Sequence, residues 1–193
     1  MAGKEAGAGK FTKKLMDFLD KSVNAFFAVE NMKEILQAEG FSPLYEGDDW
    51  KLERGGKYFV TRNGSALIAF QLPEKPFRGF QIIASHSDSP VFKIKTDPEM
   101  EVDQAYIQLN VEKYGGMICA PWLDRPLSVA GRVLIRTGKG VASRLVNLDR
   151  DLLLIPNLAI HMNREVNDGY SFNAQKDMLP LFSTAEGKGK FKE

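Results

Sequence analysis

The sequence predicts a mixed α/β chain, with helices and a hairpin ahead of a buried strand and a mainly antiparallel β region after it. Three observations carry that expectation. Apolar residues recur at helical spacing between Phe11 and Leu36. A mostly apolar run, FQIIA at 80–84, leads straight into the polar cluster Ser85-His86-Ser87-Asp88-Ser89-Pro90. After Lys95 the chain breaks into short β-rich runs separated by Gly- and Pro-containing turns.

Phe11, Leu15, Phe18 and Leu19 define one amphipathic helix, and Ala25, Val29, Met32 and Leu36, with Ile35, a second. Gly40 is placed to end the second in the left-handed conformation, followed by Phe41 and Pro43 where a helix cannot continue. Tyr58–Thr61 and Ala66–Phe70 are β-branched or aromatic runs joined through Arg62-Asn63-Gly64, which is hairpin-turn chemistry. FQIIA lacks alternation, as expected of a strand covered on both faces. Further strands are expected at Ala105–Val111, Ser128–Arg136 and Leu152–Ile155. Asp97-Pro98-Glu99 is polar and turn-forming, so the sequence places a domain boundary there, giving units 1–97 and 98–193. The final AEGKGKFKE has no apolar period and is expected to be a solvated loop at which the chain stops as if interrupted.

Composition narrows the function. The 193 residues carry 26 Lys and Arg against 25 Asp and Glu, a net charge of +1, so no general field selects nucleic acid or an anionic membrane as partner. The opening MAGKEAGAGK has no apolar core of a leader, and no run of eighteen uncharged apolar residues occurs. With Cys119 the single cysteine, an internal disulfide is impossible and a cytoplasmic location is expected. Cys119 lies between Ile118 and Ala120 and is expected to be a small buried hydrophobe. Gly9-Lys10 and Gly138-Lys139 lack the spacing of a phosphate-binding loop. Trp122-Leu123-Asp124-Arg125 is accounted for as a charged turn beside a core Trp.

The chemistry concentrates at His86 and Asp88. Residues two apart in extended backbone project to the same side, so the two can share a pocket. An imidazole is a good zinc ligand, and a nearby carboxylate can orient the ring by accepting its other proton. A capping His beside a turn-forming Asp fits the same spacing, and one histidine does not make a metal site. His161, flanked by apolar residues in IPNLAIH, is locally best explained as a partly buried, hydrogen-bonded histidine. A ferrous facial triad of His86, Asp88 and His161 is tolerable on spacing, but the two N-terminal helices stand against it.

HSDSP with the later FKIK resembles the strand-end metal motif of the aspartyl aminopeptidase family of zinc metallo-aminopeptidases, where the five residues usually read HTDSP. Two further blocks are similar in order, VEKYGGMICAPWLDRPLSVAGRVLIR from Val111 and IPNLAIHMNREVNDGYSFNAQKDMLP from Ile155, as is the helical opening. The departures are Ser87, Pro126 after Asp-Arg, and Met117 where a third glycine is common.

The resemblance implies the N-terminal part of a two-metal catalytic α/β domain followed by part of an inserted β-rich dimerisation domain. It implies that His86 is a zinc ligand and that Asp88, a catalytic-site residue, orients the metal-bound histidine or its neighbours. His161 would contact substrate from a neighbouring subunit of a homo-oligomer. The implied reaction removes an N-terminal residue, preferably Asp or Glu, from a peptide by a metal-activated water, with a glutamate shuttling the proton. The family's bridging aspartate, Glu-Glu pair, further aspartate and closing histidine are expected beyond Glu193, so this chain alone is expected to be inactive. The alternative is a non-catalytic piece that acts only by associating with full-length subunits.

Overall fold

The computed structural model describes residues 2–192. In chain order the elements are α1 (Ala2–Lys21), α2 (Ala25–Ala38), β1 (Ser42–Leu44), β2 (Lys57–Arg62), β3 (Ala66–Gln71), β4 (Val91–Val102) and β5 (Tyr106–Tyr114). They continue as β6 (Pro126–Leu127), β7 (Ala130–Thr137), β8 (Gly140–Asn147), β9 (Leu153–Leu154) and β10 (Leu181–Thr184). The chain divides into two compact units, Met1–Ser89 with Ala130–Val146, and Pro90–Val129 with Asn147–Glu193. The division falls at Ser89/Pro90; Asp97 and Pro98, where the sequence suggested a boundary, lie inside β4.

In the first unit, Asn24 starts α2 from extended backbone, and its side chain accepts the N–H groups of Phe26 and Phe27. At the other end Gly40 has φ 82, and the Phe41 N–H returns to the Leu36 carbonyl at 2.9 Å, closing the helix as the sequence predicts. The hairpin β2–β3 turns through Asn63 (φ 53) and Gly64 (φ 65), two residue types that tolerate the left-handed region. β1 adds to β2 in parallel, and Ala28, Val29 and Phe59 form the buried apolar centre. β7 and β8 make a separate two-stranded sheet, from which Arg132 lies over the Phe26 ring and donates to the Asn63 carbonyl at 2.7 Å.

The second unit is a five-stranded sheet in the order β4-β5-β10-β9-β6. Its core is Leu109, Val111, Leu153 and Leu179, with Phe92, Ile94, Met100, Leu127, Val129, Leu152, Phe182 and Phe191 packed against it. The burial of Ile107, Leu109 and Val111 follows the period of two expected for a strand with one covered face.

Four sequence expectations are corrected. Phe80–Ala84 is not a strand: no described strand pairs with it, Ile82 is 83% exposed and Ile83 99% exposed. A strand is made by its neighbours' backbone groups, and an apolar run without them stays irregular. Asp97-Pro98-Glu99 is not a turn, because β4 runs through it with a register shift between Ile94 and Glu99, the kind of irregularity where a strand accepts proline.

The C-terminal residues are docked instead of solvated: Glu99 accepts the Gly189 and Phe191 N–H groups, Lys188 pairs with Glu101 at 2.6 Å, and Phe191 meets Phe182 edge-on. Cys119 is half-buried, not buried.

Candidate functional site

His86 and Asp88 follow the irregular run, and their side chains meet. His86 Nδ1 lies 2.8 Å from the Asp88 carbonyl and 3.0 Å from its Oδ1. Both neighbours are acceptors, so the two contacts are hydrogen bonds donated from Nδ1, and Nε2 is the ring nitrogen left out of them. A carboxylate behind one ring nitrogen with the other left over is the arrangement that orients a metal-ligating histidine. The ring is open to solvent, 81% exposed in its side chain. Between the two, the Ser87 hydroxyl donates to the Ser65 carbonyl at 2.9 Å and ties the segment to the β2–β3 hairpin end. A hydroxyl suffices for that bond, so serine serves where the resembled motif has threonine.

His161 belongs to the other compact unit. It stands on a turn in which the Ala159 carbonyl accepts the N–H groups of Met162 at 2.8 Å and Asn163 at 3.2 Å. The histidine is exposed, with Leu158, Ile160 and Met162 exposed around it, so the partly buried histidine expected from the local apolar sequence is not what forms. Further on, Asp177 gathers the Tyr170 hydroxyl and the Asn173 N–H, and this carboxylate pushes the Tyr170 phenol above its ordinary value.

Sequence reasoning passed over Asp124, which it took for a surface turn residue. Its carboxylate accepts the Asn157 N–H at 2.8 Å, and its own N–H donates to the Ile155 carbonyl at 2.9 Å. The available signal was an Asp in a Leu-Asp-Arg-Pro turn, a residue type that tolerates positive φ.

Among the described residues no group of three His, Cys, Asp or Glu side chains can hold a metal ion. Zinc sites use at least three protein ligands. His86 with Asp88 therefore suits one ligand and its orienting carboxylate, and the described residues do not by themselves form a zinc site. No described helix is long and apolar enough to cross a membrane.

The family profile for aminopeptidase I zinc metalloprotease (M18) matches residues 18–193. A probable M18 family aminopeptidase 2 of Clostridium novyi is 47% identical over 184 residues, covering 93% of this chain and 42% of the relative. The protein of the same name in Clostridium acetobutylicum is 48% identical, with the same coverage of 93% and 42%.

Among solved structures, the Ape4 and Nbr1 complex aligns with a TM-score of 0.89 at 40% identity, covering 97% of this chain and 37% of that one. The S. cerevisiae mApe1 dodecamer aligns at 0.74 and 27% identity, covering 89% and 38%. The chain belongs to the M18 family of metallo-aminopeptidases. It spans about 42% of the length of the curated relatives it matches.

Proposed function

We propose that this chain contributes to a zinc aminopeptidase that removes N-terminal acidic residues from peptides, and that it is inactive alone. The carrying observation is the His86–Asp88 pair, a ring held at Nδ1 by a carboxylate 3.0 Å away at the end of an apolar run. In this proposal His86 is one zinc ligand of a two-metal site, Asp88 orients it, and His161 contacts the substrate. The first compact unit is the N-terminal part of the catalytic domain and the second is part of the dimerisation domain. Homo-oligomerisation is supported by the dodecamer formed by S. cerevisiae mApe1, and a cytoplasmic location by the single cysteine. The absence of a three-ligand group among the described residues favours the second reading for the isolated chain, a non-catalytic piece that acts by association.

The test compares the 193-residue chain with the same chain fused to the remaining portion of the Clostridium acetobutylicum relative. The chain alone is expected to hold no stoichiometric zinc and to leave a peptide with N-terminal Asp intact. The fusion is expected to bind zinc and release the Asp, and His86→Ala in the fusion to abolish both. Stoichiometric zinc with turnover in the chain alone overturns the inactive reading. Full zinc binding by the His86→Ala fusion overturns the ligand assignment.

A further inference from the structure

We infer that Asp124 is a positioning residue for His161, clamping the stem of the loop that displays it; the functional meaning of this rests on His161 contacting substrate. Asp124 follows the short 3-10 turn Ala120–Trp122 and has φ 55, a left-handed conformation that Asp accepts better than most side chains. That conformation presents its N–H and its carboxylate to the same stretch of chain. The N–H donates to the Ile155 carbonyl at 2.9 Å, and Oδ1 accepts the Asn157 N–H at 2.8 Å. Pro156 between them has no N–H to offer.

On the near side the clamp is fixed: Leu123 bridges Ile155, whose side chain is fully buried, and Trp122 packs edge-on against Phe92. On the far side little else holds the chain. Asn157 Oδ1 takes the Leu158 N–H at 2.9 Å, and the next bonds are those of the Ala159 turn carrying His161, all of them local. Leu158, Ile160 and Met162 are exposed and supply no buried anchor. Among the described hydrogen bonds, the 156–163 loop is tied to the rest of its unit by the bond from Asn157 to Asp124 at its start and by the Val166 N–H to the Asn163 carbonyl, 3.4 Å, past His161. The entry of the loop that displays His161 is thus held at Asp124.

The test is made on the 193-residue chain by NMR, reading hydrogen exchange at the Asn157 amide and the His161 ring resonance. The Leu109 and Val111 amides of β5 report whether the core is intact. Asp124→Gly keeps the backbone conformation and removes the acceptor. It is expected to speed exchange at Asn157 by about fivefold or more, as loss of a charge-assisted bond at an exposed site should, and to move the His161 resonance toward its free-peptide position with β5 unchanged. Asp124→Asn keeps an acceptor and the tolerance of positive φ, so it is expected to stay close to the parent.

Asn157→Pro removes the donor, and with it the Oδ1 that takes the Leu158 N–H, while leaving Asp124 in place. It is expected to reproduce the His161 shift, which covers the case in which Asp124→Gly loosens β5, whereas Asn157→Ala, which loses only the Leu158 bond, is expected to leave His161 in place. An unmoved His161 in the Gly or Pro variant with β5 intact, or an Asn variant that behaves like the Gly variant, overturns the positioning role. Titration of the fusion to the Clostridium acetobutylicum portion with a peptide bearing N-terminal Asp separates the two levels. If the peptide leaves His161 unperturbed in that fusion, the substrate contact falls, while the exchange data on the chain alone still decide the clamp.

Discussion

At His86 a single ring nitrogen meets two acceptors from one residue, the Asp88 carbonyl and its carboxylate. The carbonyl survives any substitution of the side chain, so the contribution of the carboxylate can be isolated. In Asp88→Ala the ring keeps one acceptor and loses the charged one, and its Nδ1–H form should lose ground to the alternative tautomer. Nitrogen chemical shifts of the His86 ring in the chain alone measure this directly, and an unchanged tautomer ratio would show that the backbone carbonyl alone fixes the ring. In the fusion with the Clostridium acetobutylicum portion, the same substitution should weaken zinc binding by about 10–100-fold, the usual cost of losing a partner behind a ligating histidine. A zinc affinity equal to that of the parent fusion removes Asp88 from the site.

Among the elements, the docked C-terminal segment carries a pH dependence with a definite sign. The backbone N–H groups of Gly189 and Phe191 hold the Glu99 carboxyl below its ordinary value, with Lys192 and Lys188 adding attraction. A group whose folded pKa is depressed stabilises above its unfolded pKa, and the stabilisation is lost as pH falls through the lower, folded one. The segment should therefore stay docked at neutral pH and be released as pH drops below the ordinary carboxylate range. Glu99→Gln should release it at neutral pH as well. Proteolysis at Lys188 and Lys190 from pH 7 downward reads this out, and cleavage that is equally slow in Glu99→Gln contradicts it.

The same element shows where sequence legibility ends. α2 with its Gly40 cap, the Asn63-Gly64 hairpin and the alternating β5 are local patterns, and they form as predicted. The docking of residues 185–192 depends on Glu99 and Glu101 far away in the chain, which no local pattern shows. The Pro98 bulge is another such case, since a proline reads as a break until a partner strand absorbs it. At the site, the two-residue spacing of His86 and Asp88 was legible. The Asp124 clamp was not, because its Asn157 partner lies 33 residues on, beyond β6 to β9.

At the scale of the whole molecule, the described residues leave large apolar side chains open to solvent: Phe11, Leu15 and Leu19 on α1, and Phe80, Ile82 and Ile83 ahead of His86.

Exposed surface of this kind drives association, so the isolated chain should sediment with a concentration-dependent mass between about 1 and 100 μM and bind a hydrophobic dye. Ile83→Lys separates association from folding. At a position 99% exposed, the substitution should alter the stability of the chain by no more than about 0.5 kcal/mol. If Phe80–Ala84 is the surface that associates, placing an ammonium there imposes a desolvation cost on contact and should shift self-association to higher concentration. A monomer at every concentration in the parent, or a marked loss of stability in Ile83→Lys, would mean that the apolar run is already covered within the chain.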